Sequence, residues 1–298
     1  MPPRSPSRRI LVCGDVINDV LVKPLDGVIP DSDTRATISA RPGGAAANKA
    51  AWMAHLGADV VFAGRAGVRA RLAADREAET GSIVIMVAPD GERTMLTDRG
   101  ANLRLRRADV PARLLDGAAV LHLTGYTFCE PSLLEVALWL LGEARARGLA
   151  VTIDPGSAAF LARMEPAAFL RWTEGAAVCF PNRDEAAVLT GEAEPLTMAA
   201  RLTRYYGAVV VKLGAAGCVL AVPREAPVLV AGHPVRATDT TGAGDAFCGA
   251  FMSRWLAAVP ATSGGRPARP ALADLTGAAE FATRVAATVV TRFGARPV

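Results

Sequence analysis

The stretch that most constrains the fold is residues 239–252, where a loop of small residues runs directly into a long apolar segment. The apolar residues 246–258 predict a buried helix that Pro260 ends. Gly242, Ala243 and Gly244 then lie at the N-terminus of that helix, where backbone N–H groups lack intrahelical partners and the helix dipole is positive. Because glycines also let a ligand approach the backbone closely, this loop predicts an anion site, with a phosphate as the expected guest.

Asp245 falls in the first turn of the same predicted helix and has two interpretations. A carboxylate there can cap the helix, which is a purely structural role. Beside a bound phosphate it can instead act as a general base that takes a proton from an attacking hydroxyl. Such proton transfer typically contributes on the order of 10²–10⁴-fold in rate. Asp239 opens the loop and could fix it or help to hold a cation.

Two long motifs carry a family resemblance. Residues 239–251 (DTTGAGDAFCGAF) resemble the C-terminal signature of the PfkB, or ribokinase-like, family of carbohydrate kinases. Residues 43–67 (GGAAANKAAWMAHLGADVVFAGRAG) resemble the N-terminal signature of that family. Both motifs occur in the right order and at the right separation, which is far more specific than a single glycine-rich loop. The resemblance extends from residue 10 to residue 295 and implies ATP-dependent phosphorylation of a hydroxyl group on a sugar or a related small molecule.

The order of apolar segments predicts the fold class. Near-continuous apolar strands such as residues 120–123 and 150–154 alternate with helices, which predicts a mostly parallel sheet with helices on both faces. The resemblance implies a ribokinase-like, three-layer α/β fold in a single domain that spans residues 1–298. It also implies a small β-sheet lid over the substrate, with inserted strands from about 20–41 and 82–98. One helix of the family is missing, because the chain passes from Gly67 directly into residues 68–72.

Polar residues that follow the first strand lie where open α/β sheets place their ligands. By the resemblance, Asp19 takes the position that hydrogen-bonds sugar hydroxyls, and a carboxylate can accept from two hydroxyl donors. Without the resemblance, the polar residues after the first strand indicate only a turn. Asn48, in the helix that follows, would then be an ordinary helix residue. The full set of predicted substrate-binding residues is Asp15, Asp19, Gly43, Gly44 and Asn48.

A second set of residues is predicted to bind the nucleotide and its metal. Asn182 and Glu185 have the spacing of a capping box, and the resemblance gives the same pair the role of ordering Mg²⁺, its waters and the ATP phosphates. Lys212 either pairs with a phosphate or lies exposed on the surface. The turn from Gly214 to Gly217 resembles the segment that borders ATP in the family.

The resemblance also implies a monovalent-cation site, with K⁺ as the expected ion. Asp239 and Thr241 are its candidate ligands.

Composition excludes several function classes. The chain has 298 residues, is 51% hydrophobic, and carries a net charge of +4 without a basic cluster interleaved with aromatic residues, so nucleic acid is not a predicted partner. No run of about 20 apolar residues occurs, so no membrane span is predicted. The five cysteines are scattered and form no C-x-x-C pair, which favours a reducing compartment and a cytoplasmic enzyme. The absence of G-x-x-x-x-G-K-[ST] excludes a P-loop enzyme.

The acceptor cannot be identified from the sequence, and two alternatives remain. One is a nucleoside kinase of the same family, which would need a base-stacking site near the lid. The other is a non-catalytic binding protein that kept the fold, although such a protein has no need of Asp245. A phosphorylated sugar would require extra cations, for which Arg35, Arg41 and Lys49 are candidate sources. The resemblance to ribokinase further implies a homodimer that pairs through the lids.

Overall fold

The computed structural model describes residues 8–25, 27–29, 31–64, 75–88, 93–258 and 271–297. Within these ranges twelve β-strands and eight α-helices form two sheets and their covering layers. The strands are β1 (Arg9–Cys13), β2 (Ile17–Pro24), β3 (Ala36–Gly43), β4 (Val60–Ala63), β5 (Thr80–Val87), β6 (Arg93–Gly100), β7 (Ala118–Thr124), β8 (Ala150–Asp154), β9 (Val178–Cys179), β10 (Val209–Lys212), β11 (Gly217–Ala221) and β12 (Val228–Ala231). The helices are α1 (Ala45–His55), α2 (Pro131–Ala146), α3 (Ala158–Arg163), α4 (Pro166–Thr173), α5 (Arg183–Thr190), α6 (Pro195–Leu202), α7 (Ala243–Ala258) and α8 (Leu272–Val289).

The central sheet has the order β12-β11-β10-β9-β8-β7-β1-β4 and is parallel from β10 to β4. Successive residues of a strand enter opposite cores: Ile10 and Val12 pack with α1, α7 and α8, whereas Leu11 and Cys13 pack with α2, α5 and α6. Both faces are therefore buried, which explains the near-continuous apolar strands. In such a sheet the carboxyl ends of the parallel strands lie along one edge, where ligands bind.

The second sheet has the order β3-β2-β5-β6 and is the small sheet that the sequence predicts. We call it the lid, and its closure over a substrate stays a prediction. Its strands β2 and β5 are parallel, and each pairs antiparallel with an edge strand. Because β2 starts shortly after β1 ends, one end of the lid is anchored at the carboxyl edge of the central sheet. The point after Gly67 at which a family helix is predicted to be missing lies within residues 65–74, which are outside the described residues. Pro260, the predicted end of the helix that contains Asp245, also lies outside them.

Two short elements were not predicted, namely α6 and β12. Helix α6 has Pro195 in its first turn and is capped by Glu194, whose side chain accepts a hydrogen bond from the N–H of Leu196. Strand β12 has four residues at the antiparallel edge of the sheet, and three of them are exposed, so it lacks a clear burial pattern. Across the described helices, none is both long enough and apolar enough to cross a membrane.

Candidate active site

The glycine-rich loop lies at the N-terminus of α7, as the sequence predicts. Gly242 has a φ of 74°, and a Cβ atom there would lie 2.4 Å from the Cβ of Ala295, so the position requires glycine. The Ala243 N–H donates to Thr240 O, whereas the N–H groups of Gly242 and Gly244 donate to no backbone acceptor within the described part of the chain. Two N–H groups at a positive helix terminus are therefore available for an anion.

The Asp245 carboxylate, in the first turn of α7, is held by two residues of α1. Asn48 Nδ2 donates to Asp245 Oδ2 at 3.0 Å, and Lys49 Nζ donates to Asp245 Oδ1 at 2.6 Å. Burial raises the pKa of Asp245, while Lys49 and Asn48 act to lower it. The side chain is 16% exposed, so it is oriented by its partners and still open to a ligand. An oriented carboxylate that a ligand can reach is compatible with a general base, and that role of Asp245 stays a prediction.

A buried ion-pair network continues from the base to the nucleotide side of the site. Asp154, at the carboxyl end of β8, lies 3.3 Å from Lys49 Nζ and 2.9 Å from Lys212 Nζ. Burial disfavours the charged form of each of these groups, but the two lysines lower the pKa of Asp154, and the carboxylates raise the pKa of both lysines. Lys212 is therefore paired and only 14% exposed, which removes the surface alternative for this residue.

Sequence reasoning missed the central member of this network. Asp154 directly follows an apolar parallel strand, the same signal that identified the residues after β1, and it could have been found in that way. Lys49 was predicted only as a candidate cation for a phosphorylated acceptor. Its contact with Asp245 joins residues 196 positions apart, which no local pattern indicates.

On the acceptor side, Asp19, Gly43 and Asn48 come together next to the base. A Cβ atom on Gly43 would lie 2.1 Å from Asp19 Oδ2, so the Asp19 carboxylate sits directly over this glycine. Burial raises the pKa of Asp19 to about 6, with Asp245 and Asp15 raising it further and Arg296 lowering it. The Asp19 carboxylate, the Asn48 amide and the backbone of Gly43 thus come together near Asp245.

Asp15 has a structural role at the start of α1. Its two carboxylate oxygens accept hydrogen bonds from the N–H groups of Ala45 and Ala46, each at 3.2 Å. Gly44 has a φ of 94°, and a Cβ atom there would lie 2.6 Å from Asp15 O. These contacts fix the junction between Gly43, at the end of β3, and the first turns of α1, which carry Asn48. The substrate-binding role of Asp15 and Gly44 stays a prediction.

Arg296 is a site residue that sequence reasoning missed. Its Nε donates to Asn48 Oδ1 at 3.0 Å, and its Nη2 donates to Gly43 O at 2.9 Å. The contact with Asn48 spans 248 positions, and Arg296 follows the last residue of the family resemblance, so no motif could reveal it.

Helices α1 and α7 pack closely enough to fix these contacts. A Cβ atom on Gly249 of α7 would lie 2.6 Å from the Cβ of Trp52 of α1, so only glycine allows the two helices to lie this close together. Trp52 Nε1 also donates to Ala295 O at 2.8 Å, which ties the segment before Arg296 to the same helix. Asn48, Lys49 and Asp245 are therefore presented by one tightly packed helix pair.

A cavity of about 200 Å³ lies beside the N-terminus of α7, between β10, β11 and α8. The predicted nucleotide-binding residues Lys212, Gly214 and Gly217 line it together with Gly244, and Lys212 Nζ lies 3.8 Å from where a Cβ of Gly244 would be. A larger cavity of about 580 Å³ lies at the amino ends of β8, β9 and β10. Ligands of open α/β sheets bind at the carboxyl ends, so the smaller cavity is the candidate nucleotide site.

The Asn182–Glu185 pair forms the capping box that its spacing predicts. Glu185 N donates to Asn182 Oδ1, and Asn182 N and Nδ2 donate to the two carboxylate oxygens of Glu185, each at 2.8 Å. Glu185 is 2% exposed, and burial raises its pKa to about 7. Among the described residues no group of three or more potential ligands could hold a metal ion alone. Mg²⁺ commonly binds through one or two carboxylates, waters and substrate phosphates, and Glu185 fits that arrangement.

The Asp239 carboxylate ties the loop before α7 to the segment after α8. Asp239 Oδ1 accepts from Thr241 N at 2.9 Å and from Thr241 Oγ1 at 2.6 Å, and Asp239 Oδ2 accepts from Gly294 N at 3.1 Å. This explains why the loop begins with an aspartate. The monovalent-cation role of Asp239 and Thr241 stays a prediction.

Comparison with known proteins decides the family, because the model of the pfkB family carbohydrate kinases matches residues 7–298. The chain belongs to that family. Its pfkB relatives include an ATP-dependent ribose-1-phosphate kinase of Halopiger xanaduensis, which is 30% identical over 318 residues, covering 97% of this chain and 94% of that protein. Ribokinase of Mus musculus is 34% identical over 193 residues, covering 62% of this chain and 56% of that protein.

The pfkB assignment agrees with the three-dimensional comparison. The structure of ribokinase from Giardia lamblia superimposes with a TM-score of 0.83 at 22% identity, covering 97% of this chain and 96% of that chain. The predicted family, the ribokinase-like α/β fold and the ATP-dependent carbohydrate kinase activity are therefore confirmed.

Proposed function

We propose that this pfkB kinase phosphorylates a hydroxymethyl-type alcohol of a sugar or sugar-like molecule, with Asp245 as the general base. The observation that carries the proposal is the position of the Asp245 carboxylate. It lies at the N-terminus of α7, with the nucleotide cavity on one side and Asp19, Gly43 and Asn48 on the other. A hydroxyl bound by Asp19, Gly43 and Asn48 would be directed at the phosphoryl group of a nucleotide bound in the cavity.

In the proposed reaction the acceptor oxygen forms a bond to the γ-phosphorus as the bond to the ADP oxygen breaks. Asp245 takes the acceptor proton. The free N–H groups of Gly242 and Gly244, with Ala243 between them, hold the charged oxygens of the transferring group, and Lys212 lies beside them. Phosphoryl transfer depends mainly on positioning and on stabilising spread negative charge, and these groups supply both.

Asn182 and Glu185 are proposed to hold Mg²⁺ through water, and the ion when bound neutralises charge on the ATP phosphates. Burial raises the pKa of Glu185 to about 7, so a nearby dication would favour its ionised form. For the monovalent ion, Asp239 and Thr241 are the proposed ligands, with K⁺ as the first ion to test.

A sugar is favoured over a nucleoside by the surroundings of Tyr126, an aromatic residue close to Asp15 and Asp245. The guanidinium of Arg99 lies 4.2 Å from the centre of its ring. That ring face is therefore covered and cannot stack on a nucleobase. The Tyr126 hydroxyl donates to Gly156 O at 3.2 Å, which fixes the ring in this position.

We also propose that the enzyme is a cytoplasmic homodimer that pairs through its lids. Ile38 on β3 and Met95 and Leu96 on β6 are exposed apolar side chains on the two edge strands of the lid. Through the strand pairing, Ile38 and Leu96 lie on one face of the lid and Met95 on the other, so a second lid packed on the first face would cover Ile38 and Leu96. The five cysteines are free, which suits a reducing compartment.

The test is acceptor-dependent ADP formation by the purified protein with ATP and Mg²⁺, with and without K⁺. The panel contains pentoses, hexoses, their phosphate esters and nucleosides. We expect turnover with one class of sugar, and the product should carry the new phosphate on a hydroxymethyl oxygen. Turnover with nucleosides alone, or ADP formation that no acceptor increases, would contradict the proposal.

A further inference from the structure

We propose that Arg296 is a positioning residue for the kinase reaction, which holds the Asn48 amide in the orientation that supports the base Asp245. This inference rests on the proposed function and deepens it, because it adds a residue to the acceptor side of the same site. No motif pointed to Arg296, and neither the family match nor the names of the relatives assign it a role.

The Asn48 amide is held at both ends by hydrogen bonds of opposite sense. Its Oδ1 accepts from Arg296 Nε at 3.0 Å, and its Nδ2 donates to Asp245 Oδ2 at 3.0 Å. Exchanging the oxygen and the nitrogen would set an NH2 group against the N–H of Arg296 and an oxygen against the carboxylate, so both contacts would become repulsive. Since Asn48 is only 4% exposed, bulk water cannot readily replace either partner. Arg296 and Asp245 therefore fix one orientation of this amide.

A second hydrogen bond fixes the plane of the Arg296 guanidinium. Its Nη2 donates to the carbonyl oxygen of Gly43, the last residue of β3, at 2.9 Å. Because Nε and Nη2 belong to one rigid planar group, this contact directs Nε at Asn48 Oδ1. Arg296 thus joins the end of a lid strand to the helix that supports the base.

The backbone of Arg296 is itself anchored. Trp52 Nε1 donates to the carbonyl oxygen of Ala295 at 2.8 Å, and the N–H of Gly294 donates to Asp239 Oδ2 at 3.1 Å. The Arg296 side chain is half-buried. It therefore reaches Asn48 from a fixed position, as a residue that supports a site from behind must do.

Arg296 donates as a cation. Burial lowers its pKa, whereas Asp19 and Asp245 raise it, and an arginine side chain stays protonated in proteins. Hydrogen bonds from a charged donor are roughly twice as strong as those between neutral groups. Methionine, which is long and apolar, would fill the space without holding the amide, so Arg296→Met is the informative replacement.

The first experiment is a double-mutant cycle between Arg296 and Asn48, read as kcat with ATP and the sugar that gives turnover. Arg296→Met should lower kcat about tenfold, because a displaced amide no longer holds the base against the acceptor hydroxyl. The KM for ATP should stay within about twofold, since the nucleotide cavity is untouched. In the Asn48→Ala background the same replacement should change kcat by less than about twofold, because the side chain through which Arg296 acts is gone.

Two further variants complete the cycle. Arg296→Lys keeps the charge but supplies a single donor group, so it should lower kcat only about threefold, and it keeps the test open if Arg296→Met does not fold. Arg284→Met is the matched control, since Arg284 is exposed on α8, and its kcat should match that of the unmodified protein. Thermal unfolding of each variant shows whether the fold is intact.

The second experiment observes the amide directly and does not depend on turnover. The side-chain NH2 group of Asn48 gives a pair of signals in a proton–nitrogen correlation spectrum, which are identified by their absence in Asn48→Ala. We expect Arg296→Met to shift this pair and to speed its exchange with solvent. Arg284→Met should leave both properties unchanged.

Three outcomes would overturn the inference. The first is that kcat of Arg296→Met stays within about twofold of that of the unmodified protein. The second is that Arg296→Met lowers kcat by the same factor with and without Asn48, and the third is that the Asn48 signals do not respond. Failure of the proposed function has a different signature, because the unmodified protein then forms no ADP in response to any acceptor, and the inference falls with it.

Discussion

Lys49 Nζ lies 2.6 Å from Asp245 Oδ1 and 3.3 Å from Asp154 Oδ2, so one buried ammonium joins the proposed base to the end of β8. Lys49 is one of three lysines in the chain, and its side chain is 2% exposed. Its charge favours the ionised form of Asp245 and opposes the effect of burial on that carboxylate. Lys49 is therefore a positioning residue that also tunes the base.

Replacing Lys49 with Met should raise the pKa of Asp245, because the charge that lowers it is removed. Since the base must be ionised, the acidic limb of the kcat/KM profile should move to higher pH. The free energy of unfolding should fall by about 3 kcal/mol, the lower end for a broken buried pair, because Asp154 keeps Lys212. Activity measured from pH 5 to 9 and chemical denaturation check both effects.

Lys23→Met is the matched control for this variant, because Lys23 is exposed on the lid. Its pH profile and stability should match those of the unmodified protein. An acidic limb that stays in place in the Lys49 variant would show that Lys49 does not tune the base.

Asp245→Asn should lose on the order of 10²–10⁴-fold in kcat, because the amide cannot take the acceptor proton. The KM for ATP should change little, since the N–H groups of the loop are retained. Asp274→Asn, an exposed first-turn position of α8, controls for the loss of a carboxylate at a helix N-terminus. Near-normal turnover of the Asp245 variant would reject the assignment of the base.

Gly43→Ala should displace Asp19, because a Cβ atom would lie 2.1 Å from its carboxylate oxygen. The acceptor KM should rise about tenfold, the cost of losing one charge-assisted hydrogen bond, while the KM for ATP stays the same. Gly142→Ala is the matched control: it lies on an exposed part of α2 with open space around it, so alanine should stabilise the protein by about 0.5–1 kcal/mol. Equal changes in the acceptor KM and the ATP KM of the Gly43 variant would show that the acceptor side and the nucleotide cavity are not separate binding regions.

Acceptor binding should depend on the ionisation of Asp19, whose pKa burial raises to about 6. Below that pH the carboxyl group is neutral and has fewer lone pairs for hydroxyl donors, so the acceptor KM should rise as pH falls through 6. Asp19→Asn should show a high KM at every pH and lack this transition. Because the two proteins differ only at residue 19, the difference between their pH profiles isolates the contribution of Asp19. Parallel profiles would contradict the assignment.

Much of the fold and part of the site could be predicted because the relevant residues are neighbours in the sequence. Two parts of the site are local structures that the residue types predict directly. They are the loop that leads into α7 with Asp245, and the capping box of Asn182 and Glu185. Alternation of apolar strands and helices likewise reports a sheet buried on both faces.

The remaining site residues depend on tertiary packing. Lys49 meets Asp245 only because α1 lies against α7, and Arg296 reaches Asn48 only because the segment after α8 returns to α1. The capping role of Asp15 was not predicted either, since a carboxylate after a strand looks the same whether it faces a ligand or a helix terminus. Strand β12 was missed because an exposed edge strand carries little apolar pattern.

The contact between Gly249 and Trp52 has a consequence for how acceptor preference can change. Because α1 and α7 approach closely there, a larger side chain at position 249 would push the helices apart and disturb Asn48, Lys49 and Asp245 together. Asp19 and Arg41 belong to the lid, which is a separate sheet, so they can vary without moving the base. New acceptors are therefore most readily acquired through the lid, and redesign of this enzyme should begin with its strands.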